Sequence, residues 1–536
     1  MTLIASFLIS ILIAILMVPM LIRFAPQLGL IDQPNERKVH STQIPRIGGV
    51  AIVIASLCSV LLWTSLDQNI IAFVCAGSVL LAFGLWDDKV ELGYKAKFGG
   101  QFLAVVVFLA LSDVYIRWFP LLGLEEAPRF IGILVTGVAL LGITNAVNLL
   151  DGLDGLAGGT TLVSLAAIAL LAFTAGAHEL AVLSLAICGG IIGFLRYNTH
   201  PARVFMGDTG SQFLGFSVGV AALMLTQGAN TALSPALPLL LLGLPILDTL
   251  TVMYIRIREG RSPFSPDKQH FHHRLMALGF AHYEAVSLIY LAQVSMILIG
   301  SMMRYENDAS LIIIFLGYAV AVNGLLYLLE KKNWKFRSSQ TASKSYIRKL
   351  RQYTRQLKAC LPVLMGFSLV PFLVFVLYKG SSLGGVVPLY VAIALFGLAS
   401  SLVHKARYLV IVERMFWYAL CGLSVYISQV LGLYDEPWVL IYFWLLALFV
   451  VLAFQRENND MFSLTPLDLI VLLSALVMFY FGQNDAAFGS FGLQVTQIIL
   501  FLYAVEFIVS ETEKQRAPVK LSLSVFIGLS ALITAL

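Results

Sequence analysis

Long apolar runs, each about the length needed to cross a bilayer as a helix at 1.5 Å per residue, alternate along the chain with short polar connections. They fall at approximately 2–22, 47–66, 69–86, 99–116, 130–145, 159–175, 178–195, 211–227, 233–255, 284–302 and 309–329. A second set follows at approximately 360–378, 385–403, 408–431, 437–454, 465–482, 490–510 and 520–535. The pattern predicts an all-α polytopic integral membrane protein, with about 11 transmembrane helices in the first part and about 7 in a C-terminal extension. The one long polar connection is 331–359, so the expected domains are 1–330, a basic cytoplasmic linker at 331–359, and a membrane domain at 360–536. No internal repeat relates the two parts.

Composition agrees with a membrane protein. The 536 residues are 59% hydrophobic and 12% charged, against about 25% charged in soluble domains. The first run has no basic n-region and no small-residue cleavage site, so it is expected to be a retained span. The five cysteines form no CxxC pair and are expected to be buried thiols. Counting loops alternately, one side of the membrane receives every Lys and Arg except Arg117, Arg129, Arg304 and Lys379. By the positive-inside rule that rich side is cytoplasmic and the N-terminus lies outside.

Four polar islands interrupt the apolar pattern, and all fall on the basic side: Asp87-Asp88-Lys89, Asn145 to Gly159, Phe205 to Ser211, and His270-Phe271-His272-His273. Any one alone has an ordinary explanation. An Asp at a span end is usually an N-cap or solvated turn, and His-x-His-His is not a standard zinc spacing. Together, Asp87, Asp88, Asp151, Asp154 and Asp208 present hard oxygen donors with no cysteine among them, which fits magnesium better than zinc. Lys95 and Lys97 follow the first pair, and Arg203 precedes Asp208. Carboxylates, metal and cations at a membrane surface suit a phosphorylated or pyrophosphorylated substrate. The glycines around Asp208 leave the N–H groups of a helix N-terminus open to phosphate oxygens. Asp248 is separate, inside the ninth apolar run, where a charge costs about 3 kcal/mol and calls for a partner.

The islands occur in the order of one family. Asp32-Gln-Pro-Asn, Arg37-Lys-Val-His40, Ile44-Pro-Arg-Ile-Gly-Gly49, Trp86-Asp-Asp-Lys89, the Asn145–Gly159 stretch, Val204-Phe-Met-Gly-Asp-Thr-Gly-Ser211 and Ser262-Pro-Phe-Ser-Pro-Asp-Lys-Gln-His-Phe-His-His273 resemble the polyprenyl-phosphate N-acetylhexosamine-1-phosphate transferases. The match is closest to the bacterial branch that moves GlcNAc-1-phosphate from UDP-GlcNAc to undecaprenyl phosphate. It spans residues 1 to about 330 and stops at the linker.

The resemblance implies roles. Asp208 would be the principal ligand of Mg2+, or of Mn2+ in its place, with Asp87 near metal and lipid phosphate and Asp88 supporting the site. Asp151, Asp154, Asn145 and Asn148 would line the nucleotide and metal side of the cleft. Lys95, Lys97 and Arg203 would hold phosphate; His270, His272, His273 and Lys268 would cover the sugar and diphosphate. Asn198 matches a polar segment before the metal Asp, and the role of Arg46 is left open. The expected partners are UDP-GlcNAc, undecaprenyl phosphate and the lipid bilayer, with no nucleic acid; a homo-oligomer or downstream glycosyltransferases are compatible. The expected place is the bacterial inner membrane, with the site on its cytoplasmic face and the product feeding an envelope polysaccharide such as lipopolysaccharide O-antigen. A phosphate monoester is mostly dianionic at pH 7, so direct in-line attack is favoured over a covalent Asp87 intermediate. The alternatives are a sister transferase using UDP-MurNAc-pentapeptide or another UDP-N-acetylamino sugar and, more distantly, a lipid transporter. A transporter would place its ionisable residues near the midplane, whereas these crowd one face.

Overall fold

A computed structural model describes residues 2–32, 43–118, 128–229, 232–262 and 269–336, together with parts of 364–508. The chain divides into two compact units, one of residues 1–338 with 465–470 and one of 339–464 with 471–536. The segment 33–42, Lys268 and the linker after residue 336 lie outside the described residues.

In the first unit the helices are α1 (Thr2–Leu28), α2 (Gly48–Trp63), α3 (Gln68–Val90), α4 (Tyr94–Leu111), α5 (Arg129–Leu150), α6 (Leu156–Thr174) and α7 (His178–Asn198). They continue as α8 (Gly207–Met224), α9 (Pro238–Leu241), α10 (Gly243–Arg258), α11 (Phe271–Ala277), α12 (His282–Met302) and α13 (Asp308–Lys331). Two short strands, β1 (Ile31–Asp32) and β2 (Ile44–Pro45), pair antiparallel between α1 and α2. Among the described residues, nine helices are long and apolar enough to cross a membrane. The protein is therefore an all-α polytopic membrane protein.

Helix α1 turns its larger apolar residues outward and its smaller ones inward. On α1 the small residues Ser6, Ser10, Ala14 and Val18 are buried, while Leu8, Leu12, Leu16 and Met20 are exposed. Both sets repeat every four residues, so one stripe faces the protein and the other faces lipid. Small inward residues let α1 lie close against α7, on which Gly189 and Gly193 receive it. The span containing α8 is 94% buried, whereas α13 is 17% buried. Thus α8, which opens with Asp208, is the central helix, and α13 is peripheral.

The run at 233–255, read from the sequence as one span, is broken at Leu242 into α9 and α10. Pro245 has no N–H to offer Leu241 four residues back, which leaves that carbonyl orphaned. Gln293 of α12 repairs the gap: its Nε2 donates to Leu241 O at 2.8 Å and its Oε1 accepts from Leu244 N at 2.9 Å. A broken helix is tolerated at membrane depth only when protein groups satisfy the freed backbone in this way.

The second unit contains α14 (Arg407–Val430) and α15 (Pro437–Ala453). Its core is apolar and aromatic, with Phe372 stacked on Tyr442 at 4.6 Å and Phe501 packed against Phe443 at 5.0 Å.

Candidate active site

The last turn of α3, the first turn of α4, the end of α5 and the start of α8 meet at one end of the first unit, and each delivers a polar side chain. Asp87 and Asp88 are buried on α3. The helix stops just beyond them, where Glu91 adopts a left-handed φ of 52° and its N–H caps the Asp87 carbonyl. Lys97 of α4 reaches across and bridges two carboxylates, with Nζ 2.9 Å from Asp208 Oδ2 and 3.1 Å from Asp87 Oδ2. Asn148 of α5 donates to Asp208 Oδ1 at 2.6 Å and to Ser211 Oγ at 2.8 Å. Asn145 lies one turn earlier on the same helix.

Asp88 has a different surrounding. Its Oδ1 accepts from Asp208 N at 2.7 Å, and its Oδ2 accepts from Thr209 N at 3.1 Å and Thr209 Oγ1 at 2.6 Å. It therefore caps α8 from another helix, satisfying N–H groups that a helix start leaves unpaired and placing a negative charge at the positive end of its dipole. Gly207, just before Asp208, has φ +71°, and a Cβ there would lie 2.6 Å from Asp88 Oδ2. Only glycine serves where a left-handed backbone and a carboxylate coincide.

The backbone of α8 is also stitched to the entry of α2. Phe205 N donates to Pro45 O at 2.7 Å, Gly48 N to Phe205 O at 2.9 Å and Gly49 N to Met206 O at 2.8 Å. A Cβ on Gly49 would sit 2.2 Å from Gly210 N. Arg46, in the same seam, pairs with Asp32 at 3.5 Å and Glu91 at 3.8 Å.

Beside this cluster runs the 151–155 loop. Burial raises the Asp151 carboxyl to about 7, the charges of Asp208, Asp88 and Asp154 add to the rise, and Arg46 opposes it. Burial also acts on Asp154, but His200 Nδ1 at 2.8 Å, the charge of His282 and the Ala202 N–H hold its carboxyl below the usual range. The sequence reading did not single out His200 or His282. Their rings stack at 4.3 Å with 20° between planes, and their ring nitrogens lie within 4.8 Å of the Asp154 carboxylate and of each other. The trio is a carboxylate paired with an imidazole under a ring stack.

The histidine segment closes over the loop. His272 Nε2 packs directly on Gly152, where a Cβ would meet it at 2.4 Å. Burial, with His273 and His270 adding, lowers the His272 imidazole to about 3, so it is neutral at physiological pH. His273 lies against it at 4.2 Å between ring centroids, and His270 Nδ1 lies 2.8 Å from Asp248 Oδ2. Asn198 commits its amide to backbone: Oδ1 accepts from Gly155 N at 2.9 Å and Nδ2 donates to Val204 O at 2.8 Å. It ties the 151–155 loop to the segment leading into α8. Lys95 is exposed at the start of α4, and Arg203 is exposed on the connection before α8.

The donor set suits a hard divalent cation. Its ligating atoms are oxygens, and Asp87 Oδ2 is buried 3.1 Å from the Lys97 ammonium, with the Asp208 carboxylate beside it. A single Lys shared between two carboxylates leaves one negative charge for a metal to neutralise. Asp208, Asp87 and the Asn148 side chain could hold Mg2+, which commonly uses one or two carboxylates plus substrate phosphates. Asp88, with both oxygens committed to backbone and hydroxyl donors, supports the site without facing it.

A family model described as glycosyl transferase family 4 matches residues 70–226, which include Asp87, Lys97, Asn148, Asp151 and Asp208. The chain is 37% identical over 293 residues to a Bacillus subtilis protein described as a probable undecaprenyl-phosphate N-acetylglucosaminyl 1-phosphate transferase, covering 54% of this chain and 81% of that one. A Yersinia pestis undecaprenyl-phosphate alpha-N-acetylglucosaminyl 1-phosphate transferase is 34% identical over 294 residues, covering 52% and 78%. A Mycolicibacterium smegmatis decaprenyl-phosphate N-acetylglucosaminephosphotransferase is 35% identical over 331 residues, covering 56% and 81%. With its polar islands gathered into one site and these relatives matched over most of their length, the chain belongs to glycosyl transferase family 4, among the polyprenyl-phosphate N-acetylhexosamine-1-phosphate transferases.

Proposed function

We propose that the protein transfers N-acetylglucosamine-1-phosphate from UDP-GlcNAc to undecaprenyl phosphate, releasing UMP and initiating a lipid-linked envelope polysaccharide. The observation that carries this reading is the Asp87–Lys97–Asp208 bridge backed by Asn148, which supports the binding of a cation and phosphates at the end of a membrane helix bundle. A phosphate oxygen of the lipid attacks the β-phosphorus, a new P–O bond forms, and the bond to UMP breaks with its electron pair leaving on UMP. Mg2+ held by Asp208 and Asp87 would neutralise charge on the diphosphate as UMP departs. Lys97 would then turn from the carboxylates to a phosphoryl oxygen, as a cation already within reach. Asp151, Asp154 and the His270–His273 segment wall the nucleotide, sugar and diphosphate, with Lys95 and Arg203 adding positive charge at the approach. A mass spectrum of the lipid product tests the assignment: undecaprenyl-diphospho-GlcNAc is expected, and a different sugar would reassign the donor.

The site is proposed to lie on the cytoplasmic face of the bacterial inner membrane, a reading that the distribution of Lys and Arg supports. Cysteines introduced near His270 and in the 331–359 linker should react with an impermeant reagent only from the cytoplasmic side, and one near Glu125 only from outside. Reaction at His270 from outside would reverse the topology.

The full span count is proposed as about eleven plus seven. The unit beyond the linker is proposed to be separable, because every residue of the candidate site precedes it. A chain ending near residue 359 should keep UMP release that depends on undecaprenyl phosphate, at matched membrane expression. A well-inserted truncation without turnover would show that the later spans help build the site.

A further inference from the structure

Asp248 lies in the middle of α10 and is 2% exposed. A carboxylate so buried persists only if its oxygens are paired. Both are, and both with the segment that carries the histidines. Oδ1 accepts from Phe271 N at 2.8 Å, in the first turn of α11, and Oδ2 lies 2.8 Å from His270 Nδ1. His270 is the residue that opens α11. One carboxylate thus caps that helix and orients the ring beside its start. A carboxylate offers only lone pairs, so this contact requires the proton on His270 Nδ1. Nε2 is the ring nitrogen left for substrate. The ring is held further by His272, whose plane lies within 13° of it at 5.8 Å, and His272 in turn rests on Gly152 beside Asp151. A chain of contacts therefore runs from the interior of α10 to the wall of the cleft.

We infer that Asp248 is a positioning residue for the transfer: it fixes the tautomer and ring plane of His270, so that Nε2 meets the substrate in a single orientation. This rests on the transferase reading given above. Asp248→Asn is the informative change. Its amide oxygen still accepts the Phe271 N–H, but its NH2 then faces His270 Nδ1, which reverses the hydrogen bond and moves the ring proton to Nε2. A wrong tautomer with intact geometry lowers turnover more than binding, by as much as about 10^4-fold where the histidine is the general base.

The experiment measures kcat and KM for UDP-GlcNAc, with undecaprenyl phosphate as acceptor, in wild type, D248N, H270N and D248N/H270N, with thermal melting of each purified protein alongside. Expected are a D248N that melts near wild type, a kcat lowered about tenfold or more with a smaller change in KM, and a double variant no slower than H270N. A D248N within twofold of wild-type kcat overturns the inference, as do losses that multiply in the double variant. H270N at wild-type kcat overturns it whether or not D248N folds. A wild-type protein that performs no transfer would instead overturn the underlying reading, so the two failures are distinct.

Discussion

Asp208→Asn is expected to lower transfer by about 10^3-fold or more, equivalent to about 4 kcal/mol of lost transition-state stabilisation. Both carboxylate oxygens of Asp208 face donors, Lys97 Nζ at 2.9 Å and Asn148 Nδ2 at 2.6 Å. An asparagine has one oxygen and one NH2, so one of these contacts becomes donor against donor. The substitution also removes a charge from the cation site, leaving Asp87 to share Lys97 alone. Folding should survive, because the clamp that seats α8 uses the backbone N–H of Asp208, donated to Asp88, and not its side chain. UMP release at saturating Mg2+ should be nearly absent while the melting temperature stays close to wild type. Activity within tenfold of wild type would remove Asp208 from the metal and phosphate machinery.

Gly49→Ala should be damaging although it alters no polar side chain. The added Cβ would fall 2.2 Å from Gly210 N, 2.5 Å from Gly210 Cα and 2.6 Å from Met206 O. These are backbone atoms on the central helix, so no side-chain rotation relieves the clash and α2 must move away from α8. Overpacking of this kind costs about 1–3 kcal/mol. Because the yielding segment carries Asp208, a shift of about 1 Å is expected to lower turnover by about 10²-fold. Gly99→Ala is the control, since a Cβ there meets nothing within 4 Å. Melting and turnover should both drop for Gly49→Ala and for Gly99→Ala neither should. Full activity in Gly49→Ala would mean that the seam between α2 and α8 yields without consequence for Asp208.

The membrane class and the locations of the polar islands were legible in the sequence, because hydropathy over a helical stretch is a local property read at 1.5 Å per residue. The residue types raised the expectation of an oxygen-donor site for a hard cation and phosphates, since carboxylates and lysines carry that chemistry wherever they are placed. Which of them cooperate was decided only by tertiary packing. Lys97 and Asp208 are 111 positions apart and meet at 2.9 Å, and no periodicity records such a pairing. Asp87 and Asp88 are neighbours of the same type, yet one faces the bridging lysine and the other caps α8, because consecutive helical positions point about 100° apart. Asn198 matched a polar segment before the metal Asp, and only the fold shows its amide tying two backbone segments together. The break at Leu242 required knowing that Gln293 from α12 stands ready to satisfy the carbonyl freed by Pro245. Asp248 announced a need for a partner through its cost in an apolar run, and only the fold could identify His270 as that partner, because a buried charge demands a pairing group without specifying which element supplies it.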